Sequence, residues 1–292
     1  MADPTQQIII RSATDADIEA CGRICYEGFR AVNERHGFAS IFSSVEAATQ
    51  RIAALIQHGG VFSVVAESQD DGTILGFSFL SERDPVRAIG PIVVDPAVHA
   101  RGVGRRLMQA VLQRAREARS VRLLQESYNL HSFALYASLE FEAREAFLVM
   151  EGQPNISEIG FRWQIRPVTE ADIQECESLH QSAHGYSRSN ELREAQAAIV
   201  AVRDGRVRAY LTAPTNWLAN HGVAETDEDM RALLVGAARV AGQPLSFLLP
   251  VGCTTLLRWC FAHGFRPTRP MTLMTKGDYQ KPRIPYCPSV SY

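Results

Sequence analysis

The sequence predicts a mixed α+β chain (α/β in composition) built as two tandem copies of one domain, each copy a mostly antiparallel central sheet flanked by helices. Three observations predict it. The first half reads as the element order β-α-α-β-β-β-α-β-α-β, a short segment near the N-terminus recurs 155 residues later, and a strand–glycine loop–helix stretch at Ile92–Leu112 stands in the first copy alone.

The first element is a short strand at Ile8–Ile10. Thr14 then caps a helix running from Asp15 to about His36, with Ile18, Ile24 and Phe29 among its apolar positions. A second helix spans Ser44 to about Gln57 and stops at Gly59-Gly60. Val61–Ala66 and Ile74–Leu80 alternate as strands about Gln69-Asp70-Asp71-Gly72, a hairpin turn in which the Asp-Gly pair supplies positive φ. The β-branched run that ends Ala88–Val94 is a buried strand, stopped by Asp95-Pro96 because proline lacks a ladder donor. The helix opened by Arg101-Gly102-Val103-Gly104-Arg105-Arg106 carries Leu107, Val111, Leu112 and Ala115 on one side and is expected to reach Ser120. Val121–Gln125 is a strand, Asn129–Tyr136 a short helix, and Phe147–Met150 a closing strand.

The repeat is explicit. Ile10-Arg11-Ser12-Ala13-Thr14-Asp15-Ala16-Asp17-Ile18 returns as Ile165-Arg166-Pro167-Val168-Thr169-Glu170-Ala171-Asp172-Ile173, and Cys21 returns as Cys176. Glu140-Phe141 leading to Leu148–Met150 is echoed by Gly264-Phe265 leading to Thr272–Met274. The expected domains are residues 1–151 and 161–292, joined by a polar linker at 152–160, with a proline-containing tail from Lys281 that is expected to be extended.

Strand, glycine loop and helix N-terminus together form a phosphate-holding device. The first N–H groups of a helix lack intrahelical partners, the dipole concentrates positive charge there, and glycine lets an anion approach the backbone. Leu107 occupies the third glycine of a dinucleotide-binding loop, and no Lys-Ser/Thr pair follows, so neither common phosphate loop applies. In the second copy the corresponding segment reads Ala224-Glu225-Thr226-Asp227-Glu228-Asp229-Met230, where Thr226 or Asp227 caps the helix and the acids oppose a pyrophosphate. Tyr210, Trp217, His221 and Glu225 of that copy are candidates for a surface turned toward the first.

The loop His99-Ala100-Arg101-Gly102-Val103-Gly104 resembles the pyrophosphate loop of the GNAT N-acyltransferase superfamily, with His99 in place of the usual Gln or Arg. The duplication resembles the tandem, two-lobed GNAT proteins. The resemblance implies acetyl-CoA as cofactor, bound by Val93, Val94, His99, Arg101, Gly102, Val103, Gly104, Arg105, Arg106, Asn129 and Tyr136. It implies a backbone N–H of Val94, with Val93 as the other candidate, as the oxyanion donor, and Tyr136, seven residues after Asn129, as the acid that protonates the leaving thiolate. The implied reaction is acetyl transfer to a primary amine of a small metabolite, amino acid or peptide. The alternative is a non-catalytic acyl-CoA-binding or sensor protein. Candidate general bases are Glu82, Asp84 and Glu126, each more readily read as a solvated surface acid, and the family often removes this proton through water. The second copy has Cys253 and Cys260 in place of Asn129 and Tyr136. Where the family usually has Gly before the phenylalanine after this helix, the chain has Glu140, which costs strain if the backbone there is left-handed. Phe29, Asn33, His36 and Phe38 lie where acceptors usually bind.

The net charge of −2, with neither half basic, argues against nucleic acid as a partner. No apolar run approaches the roughly 20 residues of a membrane span, and no N-terminal signal pattern is present, so no membrane partner and a cytoplasmic location are expected. Six scattered cysteines without metal-ligand spacing are expected to be reduced, with Cys21 and Cys25 in core packing and no metal.

Overall fold

The computed structural model describes residues 8–98, 102–155 and 162–291. The first copy runs β1 (Ile8–Ser12), α1 (Ile18–Arg35), α2 (Val45–Ile56), β2 (Val61–Ser68), β3 (Ile74–Ser81), β4 (Val86–Val94), α3 (Val103–Arg114), β5 (Ser120–Glu126), α4 (Leu130–Ala137) and β6 (Glu142–Gly152). The second repeats that order as β7 (Gln164–Pro167), α5 (Ile173–His184), α6 (Ser189–Glu194), β8 (Ile199–Arg203), β9 (Arg206–Leu211), β10 (Gly222–Ala224), α7 (Asp227–Ala241), β11 (Leu245–Pro250), α8 (Thr254–Ala262) and β12 (Phe265–Gly277), and adds β13 (Tyr286–Cys287).

The identical residues of the repeat make one clamp, built twice. Arg11 donates from both terminal nitrogens to Asp17, at 2.8 Å each, and Arg166 does the same to Asp172 at 2.6 and 2.8 Å. Each aspartate also accepts from the backbone N–H of Thr14 or Thr169 at 2.8 Å, and each threonine completes a capping box. A single carboxylate therefore ties a strand to the helix that follows. Cys21 and Cys176 lie one turn further on, fully buried. The arginine hydrogen bonds hold both carboxyls below the usual carboxylate range.

Two compact units emerge from the packing. The first comprises the residues up to Arg83, then Arg87–Val121 and Tyr128–Glu140; the second comprises Asp84–Val86, Arg122–Ser127 and everything from Phe141 onward. In the first unit β1, β2, β3 and β4 pair in that order, all antiparallel. Their core is Val65, Ile74, Phe77, Phe79 and Val93 beneath Cys21, Ile24 and Cys25 of α1 and Ala48 and Ile52 of α2. Ser44 caps α2 by accepting from Ala47 N–H. The helix α3 buries Val103, Leu107, Met108 and Val111 and ends at Arg114, not near Ser120 as expected. Residues Ala115–Arg119 are good helix formers with no Gly or Pro stop, yet Ala115 closes the helix and Ala118 N–H turns back to its carbonyl.

In the second unit, β13-β10-β9-β8-β7 form a five-stranded antiparallel sheet, and β5 (from Arg122), β12, β6 and β11 lie in sequence in another. The last strand of the first copy thus sits between the last strand and the fifth strand of the second, antiparallel to both. The packing boundary accordingly falls at Phe141, ahead of the repeat boundary in the sequence. Most of the linker read at 152–160 lies outside the described residues. The tail is pinned: Tyr286 pairs with Val223 in the sheet, and Val290 N–H donates to Leu218 C=O at 3.1 Å. All six cysteines are free thiols, and all but Cys253 are buried.

Candidate active site

The first unit assembles a site where three elements meet. Gly102, at φ +72°, takes the left-handed conformation that a side chain would strain, and opens α3 as its N-cap. The first intrahelical bond runs from Arg106 N–H to Gly102 C=O, so the N–H groups of Val103, Gly104 and Arg105 precede the helical ladder. A Cβ added at Gly104 would lie 3.4 Å from Leu135 Cδ2 and 3.5 Å from Val94 Cγ2. The start of α3 is therefore packed against α4 and the end of β4 together. This glycine turn and free helix start suit a pyrophosphate. Arg105 is exposed and donates to Ser138 Oγ at 2.7 Å, and Arg106 stands in the same turn. His99 and Arg101 fall outside the described residues.

Strand register distinguishes the two oxyanion candidates. Asp95 N–H donates to Leu75 C=O at 2.9 Å, which makes that residue pair a hydrogen-bonded one; the antiparallel alternation then makes Gly76–Val94 a non-bonded pair and Phe77–Val93 a bonded one. The N–H of Val93 is consumed by β3. The N–H of Val94 points away from β3. Asp95 also accepts from Arg23 at 3.0 Å and from Ala97 N–H at 2.9 Å, which fixes the turn after the strand.

Asn129 caps α4, its Oδ1 accepting from Ser132 N–H at 3.2 Å, so that its side-chain NH2 is the group left to face a ligand. Tyr136 lies two turns on, buried, with Ser132 as a hydrogen-bond partner. Burial pushes its phenol up to about 12. In the second copy the N-cap of α8 is Cys253, and Cys260 is buried at the position of Tyr136.

Two of the three base candidates are not the solvated acids they were read as. Glu126 is buried and paired with Arg269 at 2.5 Å, and Asp84 is buried, accepting from the N–H groups of Asn190 and Glu191 at 3.3 Å each. Burial raises the Asp84 carboxyl. Glu82 is held by Arg114 at 2.9 Å. Each candidate is thus engaged by partners of its own.

The acceptor candidates gather around Tyr128, a residue the sequence reading passed over. Phe38 stacks on its ring at 4.2 Å and 11°, His36 lies 5.1 Å away, and its hydroxyl donates to Asn33 Oδ1 at 3.0 Å. Phe29 packs on Phe42 instead. The available signal was its place immediately before the helix cap.

The second copy has closed its helix. Thr226 Oγ1 accepts from Asp229 N–H at 3.2 Å, and Asp227, Glu228 and Asp229 fill the first turn of α7. Tyr210, Trp217 and His221 are buried within the second unit and form no surface; of the four candidates only Glu225, paired with Arg208, is exposed.

Residues 30–141, a little over a third of the chain, match the sequence model of the Acetyltransferase (GNAT) family. Such domains are acyltransferases whose donor is acetyl-CoA. No curated protein sequence matches the chain. Among solved structures, a Pyrococcus horikoshii protein classed as an acetyltransferase superposes over 98% of this chain and 95% of its own, with TM-score 0.74 and 17% identity. A GCN5-related N-acetyltransferase from Sphaerobacter thermophilus covers 94% and 97%, with TM-score 0.65 and 14% identity. A fungal GH3 β-N-acetylglucosaminidase contains a GCN5-related glucosamine N-acetyltransferase region that covers 92% of this chain and 38% of that one, with TM-score 0.60 and 15% identity. At these identities the likeness is one of fold, and it extends over both copies. Among the described residues no helix is long and apolar enough to cross a membrane.

Proposed function

We propose that the first copy transfers an acetyl group from acetyl-CoA to the primary amine of a small metabolite, amino acid or peptide, and that the second copy holds no CoA at the corresponding place. The observation that supports this reading is the close approach of Gly104 to both Val94 and Leu135, by which the start of α3, the end of β4 and the helix that carries Asn129 and Tyr136 pack against one another.

Acetyl-CoA supplies an activated thioester. The α3 N-terminus and Arg105 and Arg106 hold the pyrophosphate, with His99 and Arg101 as proposed additions, and Asn129 orients the pantetheine arm. Val94 N–H receives the negative charge that develops on the carbonyl oxygen as the C–N bond forms. Tyr136 donates its proton to the departing sulfur as the C–S bond breaks and regains one from solvent. Since Glu82, Asp84 and Glu126 are all bound to other partners, the amine proton leaves through water. The Phe38–Tyr128 stack offers a planar aromatic wall, which suits a small amine. The closed, acidic start of α7 argues against a second donor site. The chain is proposed to work in the cytoplasm.

A panel of amines tests this. Amino acids, dipeptides, polyamines and glucosamine, the acceptor in the fungal region's name, are incubated with acetyl-CoA, and thiol release is followed with the acetylated product identified by mass. Release that depends on one amine class supports the transferase reading. CoA binding with no release by any class favours the sensor alternative.

A further inference from the structure

The second unit contains a buried histidine cluster that the proposed reaction does not use. His180 and His184 lie one turn apart on α5 and stack, with ring centroids 4.4 Å apart, and His221, just ahead of β10, meets His180 at 4.9 Å. One ring nitrogen from each of the three lies within 4.8 Å of the others. All three are almost fully buried.

The hydrogen bonds fix the protons. A guanidinium only donates, so Nδ1 of His221, 2.7 Å from Arg188 Nη1, accepts. The proton of His221 is then on Nε2 and is donated to Nδ1 of His180 at 3.0 Å. That leaves the proton of His180 on Nε2, a buried atom with no hydrogen-bond partner among the described residues. This is the tautomer that leaves Nδ1 of His180 able to ligate.

We propose that His180, His184 and His221 form a site for one divalent transition-metal ion of the zinc class. Three imidazoles with no carboxylate among them suit zinc, nickel or copper and give calcium or magnesium nothing to bind. At zinc–nitrogen distances of about 2.0–2.1 Å, tetrahedral ligands sit roughly 3.3 Å apart. His221 Nε2 and His180 Nδ1 are already at 3.0 Å, and the third ring closes from within 4.8 Å by side-chain movement. The Tyr210 hydroxyl, 3.5 Å from His180 Nδ1, or a water fills the fourth position.

Ligation requires one exchange. His221 must carry its proton on Nδ1, so Arg188 gives up that contact and keeps Glu191 and Ser289, whose Oγ it reaches at 2.6 Å. The other charges facing the cluster are Arg122, which lies over the rings of Tyr186 and Tyr279, and the carboxylates of Glu191 and Asp84 near Arg188. A bound ion would staple α5 to the edge of β10. It would also hold the tail, since Tyr286 stands edge-on to His184 at 5.1 Å and Ser289 is bonded to Arg188.

The test uses the full chain, stripped with a chelator, reloaded with zinc or cobalt(II) and dialysed. The expected result is one retained ion per chain, visible bands of four-coordinate cobalt, and a melting temperature raised by zinc. His180→Gln and His184→Gln should each lose the retained ion and the cobalt bands, while the exposed His131→Gln keeps both. Two results overturn the site: no ion retained by the wild-type chain, or an ion retained equally by both cluster variants. If the variants fail to fold, the wild-type titration decides alone, and a melting temperature indifferent to zinc refutes the proposal.

Discussion

On the proposed mechanism, removing the Tyr136 hydroxyl separates chemistry from binding. Tyr136→Phe should lower kcat by roughly 10²–10⁴-fold, the usual contribution of a positioned acid, while the affinity for acetyl-CoA changes little. Steady-state thiol release beside direct binding checks this, and an unchanged kcat removes Tyr136 as the acid. Because burial pushes the phenol to about 12, it remains protonated through pH 10, and the wild-type rate should show no alkaline fall from this group below that pH. A second residue stores strain. Glu140 sits at φ +67°, where the matching residue of the other copy is Gly264 at φ +98°. Glu140→Gly should therefore stabilise the protein by about 1 kcal/mol, read from a denaturant midpoint. This strain was legible in the sequence, as was the Asn129–Tyr136 spacing, because both belong to a single helix and its end. The fates of Glu126 and Asp84 were not. Their partners, Arg269 and the N–H groups of Asn190 and Glu191, are more than a hundred residues away, and local sequence does not reveal such pairs.

At the scale of elements, the recurrent Arg-Thr-Asp pattern proves to be structural. Asp17→Asn or Asp172→Asn removes a charged, hydrogen-bonded join between strand and helix and should cost on the order of 1–3 kcal/mol at pH 7. Both carboxyls are lowered on folding, so their contribution is fully present above the ordinary carboxylate value near 4 and is lost as pH falls from there toward the lowered folded values. Denaturant midpoints of wild type and variants should converge as the pH drops below 4; a gap that persists unchanged at low pH contradicts the linkage. The order of elements in the first copy was readable, since each carries its own period, cap or turn. Thr14, Ser44, Asn129 and Thr226 all stand at helix starts where their side chains allow it. The stop of α3 and the pairing of β6 were not readable. No residue in Ala115–Arg119 breaks a helix, and a closing strand does not state in its own sequence which strands it will join.

For the whole molecule, two copies of one order of elements differ at the place proposed to hold the cofactor. The first keeps Gly102 and Gly104 at an open helix start; the second fills the same place with Thr226 and three acids, and substitutes Cys253 and Cys260 for Asn129 and Tyr136. Duplication supplies a second body of packed sheet and helix, which the first copy's own last strand joins. The central claim is this asymmetry, and a calorimetric titration of acetyl-CoA into the full chain measures it directly. The account predicts one equivalent per chain, abolished in the double variant Gly102→Glu/Gly104→Glu. Two equivalents, or one that survives in that variant, would contradict it.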